Sequence, residues 1–289
     1  MRVLLTGASG QVGRAFGALC ARRDALAALG HAELDITDAA QVRRAVQAHE
    51  PQWIVNAAAY TAVDAAESAR EAAHNLNATA VAHLAAAARD AGARLMHIST
   101  DFVFDGEACR PYGPDAATAP LGVYGATKLA GEHAALGGDC AAIIVRTSWV
   151  YAAYGQNFVR TMLRLMASKP EIRVVTDQLG SPTWATSLAR LLWRMIELNA
   201  PAGIYHWSDA GVASWYDFAV AIQEEALQRG LLGQTSAVLP IASSEYPTPT
   251  RRPHYSVLDT ARTRALTGIA AVHWRVQLRS MLDELAVSR

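Results

Sequence analysis

The stretch Leu4-Leu5-Thr6-Gly7-Ala8-Ser9-Gly10-Gln11-Val12-Gly13 restricts the possible folds more than any other part of the chain. Its glycines, spaced GxxGxxG, lie between a short apolar run, Val3 to Leu5, and an amphipathic segment that begins at about Gln11. A turn without side chains between a strand and a helix lets backbone amides approach a pyrophosphate, and the helix N-terminus adds partial positive charge. A glycine-rich turn can also form with no ligand at all. Its position after the first strand of a strand-helix chain favours a dinucleotide loop, with Gly7, Gly10 and Gly13 as the positions of closest approach.

The pattern that follows supports an α/β fold. Short apolar runs at Trp53 to Val55, Leu95 to Ile98 and Ile143 to Val145 alternate with alanine-rich amphipathic segments such as Val81 to Asp90. Alternating strands and helices imply parallel crossovers and a doubly wound, Rossmann-type parallel sheet covered on both faces. After Val150, prolines at 170, 182, 201, 240, 247, 249 and 253 interrupt helices predicted at Trp215 to Gln228 and Val272 to Val287. Residues 1–150 are therefore read as a dinucleotide-binding domain. Residues 151–289 are read mainly as a smaller α/β substrate lobe closing over the carboxyl ends of the strands, with some later segments returning to the first domain.

Lys plus Arg and Asp plus Glu both number 26, so no net charge draws the chain to nucleic acid. Cys20, Cys109 and Cys140 are odd in number and lack CxxC spacing, which argues against a disulfide framework or a metal cluster and fits the reducing cytoplasm. The N-terminal apolar run is too short for a signal segment and no stretch is suited to spanning a membrane, so a soluble cytoplasmic protein is expected.

The second strand is expected around Ala25-Leu26-Ala27-Ala28-Leu29. Gly30 and His31 follow it, where an acid would be expected to bind the adenosine ribose. Farther on, Asp35 in Leu34-Asp35-Ile36-Thr37-Asp38 would lie near the adenine, or Thr37 or Asp38 simply caps the next helix.

Tyr124 and Lys128 are four residues apart in Tyr124-Gly125-Ala126-Thr127-Lys128, hence one turn apart on one helix face. Carbonyl reduction needs a proton donor for the developing alkoxide. A free tyrosine titrates near ~10, and a nearby ammonium favours its phenolate and so eases release of the proton. By itself this spacing is common on surface helices. Upstream, however, the apolar run Leu95 to Ile98 ends in Ser99-Thr100-Asp101, which puts hydroxyls at the carboxyl edge of the sheet, where a substrate carbonyl needs a donor. The plainer alternative for Thr100 and Asp101 is the end of a strand and the cap of a turn.

With these residues in view, the chain resembles the dTDP-4-dehydrorhamnose reductases, a branch of the extended short-chain dehydrogenases in which the GxxGxxG spacing is usual. The likeness runs through Leu5 to Val12, Val55 to Asp64, Ser99 to Phe104, Val123 to Glu132, Arg146 to Tyr151, Asn157-Phe158, Asp177 to Thr183 and Tyr246 to Pro253. It implies reduction of the C4 ketone of a dTDP-6-deoxy-hexulose to dTDP-L-rhamnose, with hydride from a nicotinamide. Tyr124 would be the proton donor, Lys128 its electrostatic partner and ribose anchor, and Thr100 the carbonyl donor. By the same resemblance Gly10, Gln11, Val12, Asp35, Ile36, Ala59, Tyr60 and Thr61 line the cofactor. Asp101 and Trp149 touch the sugar nucleotide, with Asn157 and Arg252 as further substrate ligands.

Departures from the family pattern matter. Gly30 in place of an acid points to NADPH, with NADH still possible. Some members dimerise through magnesium held by glutamates, but Ala15 and Thr186 occupy the matching places here. No metal is expected, and a monomer or weak homodimer is. Phe102 replaces a common tyrosine. Sugar-nucleotide dehydratases are similar but resemble one another in a Thr-Asp-Glu arrangement, which Phe102 breaks, whereas a 4-epimerase would need little beyond the Tyr/Lys pair. A non-catalytic alternative is a regulatory subunit similar to that of methionine adenosyltransferase.

Overall fold

The computed structural model describes residues 1–20 and 26–287. Its strands are β1 (Val3–Thr6), β2 (Leu26–Leu29), β3 (Trp53–Asn56), β4 (Arg94–Thr100), β5 (Ala142–Thr147), β6 (Val150–Tyr151), β7 (Glu171–Val175), β8 (Leu179–Gly180), β9 (Thr183–Trp184), β10 (Gly203–His206), β11 (Ala213–Ser214) and β12 (Ala237–Ile241). The helices are α1 (Gln11–Cys20), α2 (Ala39–His49), α3 (Val63–Ala66), α4 (Arg70–His74), α5 (Ala80–Asp90), α6 (Val123–Leu136), α7 (Phe158–Ser168), α8 (Ala185–Glu197), α9 (Trp215–Gln228), α10 (Ala261–Thr267) and α11 (Trp274–Val287). Ala25, expected to open the second strand, lies outside the described residues.

Six strands form the central sheet in the order β2-β1-β3-β4-β5-β10, every neighbouring pair parallel. The strands are apolar because the sheet is covered on both faces. Alternate residues feed two cores. Val3, Leu5, Trp53, Val55, Ile143 and Val145 pack with α1 and α8, while Leu4, Ile54, Ala142 and Ile144 pack with α2 and α5. On the first face Phe16 of α1 stacks on Trp193 of α8 at 4.4 Å, and the Trp193 indole donates to the Phe16 carbonyl at 3.0 Å. That contact and the β10–β5 pairing bring the Ala185–His206 stretch back to the central sheet.

The strand order reverses between β1 and β3, and the crevice beyond their carboxyl ends is the expected ligand edge of such a sheet. The second lobe stands over this edge. Its core joins α7, α9 and α11 around Phe218, Met281 and Leu282, and the parallel ribbon of β7 and β12 lies beside it. Ser214 caps α9 in a reciprocal box with Asp217, which explains the sharp start of that helix. Trp149, just past β5, takes a left-handed conformation (φ 47°), rare for so bulky a residue, as the chain crosses into the lobe.

Candidate active site

The glycine loop joins β1 to α1. Gly7 has φ +68°, and a Cβ there would lie 2.5 Å from the backbone nitrogen of Ala58; one at Gly13 would lie 2.2 Å from the Gly7 carbonyl oxygen. Side chains are thus excluded where the loop turns beside the segment leaving β3, at the strand-order switch. Gly10 N–H closes the turn on the Gly7 carbonyl at 3.0 Å, and Gly10 itself is exposed. Gln11 and Val12 open α1, so the loop presents a side-chain-free cradle at a helix N-terminus, which fits a pyrophosphate.

Ala59, Tyr60 and Thr61 follow β3 and are partly or fully exposed along the same crevice. Their loop is fixed by Asn77, which lies in a π-helical turn, Asn75–Thr79, ahead of α5. The Asn77 carboxamide accepts from Tyr60 N–H at 2.8 Å and donates to the Tyr60 carbonyl at 3.2 Å and the Thr127 hydroxyl at 3.1 Å. This turn therefore ties the loop after β3 to the Tyr/Lys helix, a common use of π-turns near sites.

Beyond β2, the Asp35 carboxylate accepts from Thr37 N–H at 2.9 Å and the Thr37 hydroxyl at 2.7 Å, which hold it below the usual carboxylate range. Asp38 caps α2 through Ala40 and Gln41, and Ile36 is buried in the core. Glu33 supplies an acid that the sequence does not place at the end of β2. Its carboxylate folds back to accept from Gly30 N–H at 2.9 Å, beside Ser9 of the glycine loop.

Thr100 ends β4, and Tyr124 and Lys128 lie on α6, which packs against β4. The Thr100 hydroxyl reaches Tyr124 and stands 3.0 Å from Asp101 Oδ1, accepting from Phe102 N–H at 3.2 Å. Phe102 meets the Tyr124 ring edge-on at 5.5 Å. The Glu67 carboxylate accepts from Val123 N–H at 2.8 Å and so fixes the first turn of α6, a placement that depends on a residue with no motif around it. Burial pushes the Tyr124 phenol up to about 12; the Thr100 hydroxyl opposes this and the Asp101 charge adds to it. Burial brings Lys128 down to about 8, against the pull of Glu132. The Lys128 Nζ donates to the Ile98 carbonyl at 2.7 Å and lies 3.2 Å from His97 Nε2.

Asp101 is 2% exposed, and its Oδ2 has no hydrogen-bond partner among the described residues. Burial raises its carboxyl to about 6, with hydroxyls of Ser256 and Thr100 offsetting part of the cost. A raised native value means the native state holds the proton more tightly than the unfolded chain does. The carboxyl's contribution to stability is complete below about pH 4 and is lost as pH rises to about 6 and above, for a total cost of roughly 3 kcal/mol. Asp101→Asn is therefore expected to be the more stable protein at pH 8 by about that amount, the gain vanishing near pH 4. Denaturant melts at the two pH values check this, and an equal gain at both would mean the ionised carboxylate is not the cause.

The lobe completes the crevice. Trp149 stacks on Trp215 at 3.5 Å and 5°. Arg252 pairs with Asp64 at 2.8 Å, and the Thr250 hydroxyl donates to the Val63 carbonyl at 3.0 Å, so the Pro-rich segment is held against the start of α3. Arg252 also lines a cavity of about 750 Å³ with Phe158, Gln178, Trp215, Tyr246 and Thr248. Asn157 caps α7, and its amide donates to the carbonyls of Ala152 and Tyr154 and to Gln11 Oε1 at 2.9 Å. It joins the lobe to the glycine loop. Among the described residues no group of three or more metal-ligating side chains occurs, and no helix is long and apolar enough to cross a membrane.

The family model described as RmlD substrate binding domain matches residues 1–287. The chain is 42% identical to the dTDP-4-dehydrorhamnose reductase of Escherichia coli K12 over 300 residues, covering 99% of this chain and 98% of that one. Among solved structures, the reductase of Clostridium acetobutylicum superposes with a TM-score of 0.93 at 37% identity, covering 99% of both chains. The reductase of Bacillus anthracis, solved in complex with NADP, gives 0.93 at 36% identity, covering 98% of this chain and 99% of that one.

Proposed function

The chain belongs to the family of dTDP-4-dehydrorhamnose reductases, and from that premise we propose that it reduces the C4 ketone of dTDP-4-dehydro-6-deoxy-L-mannose to dTDP-L-rhamnose. The observation that carries this reading is the meeting of Thr100, Tyr124 and Lys128 at the carboxyl end of β4, beside a glycine cradle at the strand-order switch. Bound in that cradle, a reduced nicotinamide supplies the hydride to the ketone carbon. Thr100 and Tyr124 hydrogen-bond the ketone oxygen, and Tyr124 gives its phenolic proton to the oxygen as negative charge develops there. Lys128 stabilises the phenolate left behind and holds the nicotinamide ribose.

On the substrate side, Asp101 and Trp149 border the sugar, and Asn157 orders the loop between the lobe and Gln11. The cavity lined by Phe158, Trp215, Tyr246 and Arg252 accepts the nucleotide, with the Arg252 guanidinium facing its diphosphate. The bound NADP of the Bacillus anthracis relative supports NADPH as the cofactor, with NADH as a second donor. Our reading places the protein in the cytoplasm, as a monomer or weak homodimer without a bridging metal.

Loss of NADPH absorbance on adding the keto-sugar nucleotide, made in place from dTDP-glucose by a dehydratase and an epimerase, tests the reading. No oxidation by folded, nucleotide-binding protein would overturn it. Glu33 refines the cofactor choice, because a carboxylate by Gly30 accepts from a ribose hydroxyl and repels a 2′-phosphate. Glu33→Ala is expected to raise the kcat/KM ratio of NADPH over NADH by roughly two- to fivefold, the scale of an exposed like-charge contact. An unchanged ratio would show that the carboxylate swings clear of the ribose.

A further inference from the structure

Behind Lys128 runs a buried chain of polar groups that the proposed reaction does not use. Thr6, Asn56 and His97 are each fully buried, on β1, β3 and β4. The orientation of the Asn56 carboxamide is set by a group that cannot turn around: Ala58 backbone N–H donates to its Oδ1 at 3.1 Å, and the Thr6 hydroxyl donates to the same oxygen at 2.7 Å. The Asn56 NH2 therefore faces His97 Nδ1, 3.0 Å away. An amide N–H2 only donates, so Nδ1 must accept and carries no hydrogen. Burial pushes the imidazole well below its usual range, so the ring is neutral and its one proton is on Nε2.

That N–H points at Lys128 Nζ, 3.2 Å away. An ammonium has no lone pair to receive it, whereas a neutral amine accepts from His97 while donating to the Ile98 carbonyl at 2.7 Å. We propose that Asn56 locks His97 as the Nε2–H tautomer and that His97 thereby acts as a positioning residue, favouring the neutral amine of Lys128 in the ligand-free protein. This rests on the reading of Lys128 as the partner of Tyr124. It adds that the ammonium needed for that role gains stability when Lys128 turns from His97 towards a bound nucleotide.

The other ionisable groups around the pair do not supply the same control. Glu132, one turn on along α6, favours the ammonium, but its carboxylate is held by Arg146 of β5 at 2.7 Å. Tyr124 lies one turn back on α6, and Asp101, past the end of β4, acts on Tyr124. The partners offered from β1 and β3, Thr6 and Asn56, are uncharged.

Asn56→Asp is nearly isosteric and reverses the lock. One carboxylate oxygen still accepts from Ala58 and Thr6, while the other accepts from Nδ1–H, leaving Nε2 as an acceptor for an ammonium. Nitrogen NMR of the histidines in the ligand-free wild-type protein, assigned by loss of the His97 signal in His97→Gln, reads the tautomer without turnover. The expected result is an unprotonated Nδ1 and a protonated Nε2. A protonated Nδ1 in the wild type overturns the proposal, whatever the protein catalyses.

The second readout is the alkaline limb of kcat/KM against pH, which reports the free enzyme. Asn56→Asp is expected to move that limb up by a pH unit or more, a gain of roughly tenfold relative to the wild type above it. A folded variant whose kcat/KM falls equally at every pH, with the limb unmoved, shows a merely structural role and also overturns the proposal. Absence of keto-sugar reduction in the wild type would instead fail the proposed function and leave the NMR result standing.

Discussion

Tyr124→Phe is expected to fold, to bind the reduced dinucleotide as the wild type does, and to lose about 100- to 10,000-fold in turnover, the range typical of a lost general acid. On the proposed mechanism the ring serves packing and the hydroxyl serves the chemistry. Phenylalanine keeps the edge-on contact with Phe102 at 5.5 Å and the same place in the first turns of α6. What it removes is the only phenol that the Thr100 hydroxyl reaches at the end of β4, among the described residues. Steady-state rates and a cofactor titration by fluorescence separate the two effects. Near-normal turnover would take Tyr124 out of the reaction.

Lys128→Ala should damage both rate and binding. The lysine is 2% exposed, donates to the Ile98 carbonyl at 2.7 Å, and sits one turn from Tyr124. On the proposed mechanism, removing it takes away the cation that stabilises phenolate and a charged donor to the ribose. The expected loss in cofactor affinity is roughly 10- to 100-fold, the worth of one hydrogen bond from a charged group, alongside a larger loss in kcat. Alanine also leaves a cavity, so Lys128→Met, of similar volume, is the companion variant and should lose as much. A rate effect with unchanged cofactor affinity in both variants would remove the ribose-anchoring role while leaving the electrostatic one.

Much of this architecture is legible in the chain because it rests on period and punctuation. Val3 to Leu5, Trp53 to Val55, Leu95 to Ile98 and Ile143 to Val145 all lie in strands of the central sheet, and Trp215 to Gln228 is a helix from end to end. Each is a run whose apolar spacing has one good solution. The six-stranded parallel sheet follows from their alternation with helices.

What does not show in the chain depends on partners far away in sequence. The return of Ala185–His206 to the first sheet depends on Phe16 meeting Trp193 and on β10 finding β5, pairings that no local pattern announces. The acid beside the end of β2 is Glu33, folded back on Gly30, because a turn follows β2 there and reach decides the position. Asn77 and Glu67 carry no motif, yet they fix the Tyr60 loop and the start of α6.

His97 offered a signal that is easy to pass over. A histidine in the middle of Leu95-Met96-His97-Ile98 must be buried if the run is a central strand, and a buried imidazole needs partners for its nitrogens. Asn56, the one polar residue of β3, is that partner.

The most direct test uses NADPH carrying deuterium as the transferred hydride, with the purified protein and dTDP-4-dehydro-6-deoxy-L-mannose, the product being read by NMR and mass. One deuterium at C4 of dTDP-L-rhamnose and one oxidised cofactor per product are expected, with both lost together in Tyr124→Phe. Recovery of the cofactor in its reduced form with an inverted sugar, or product carrying no deuterium at C4, would contradict a reductase built on Thr100, Tyr124 and Lys128.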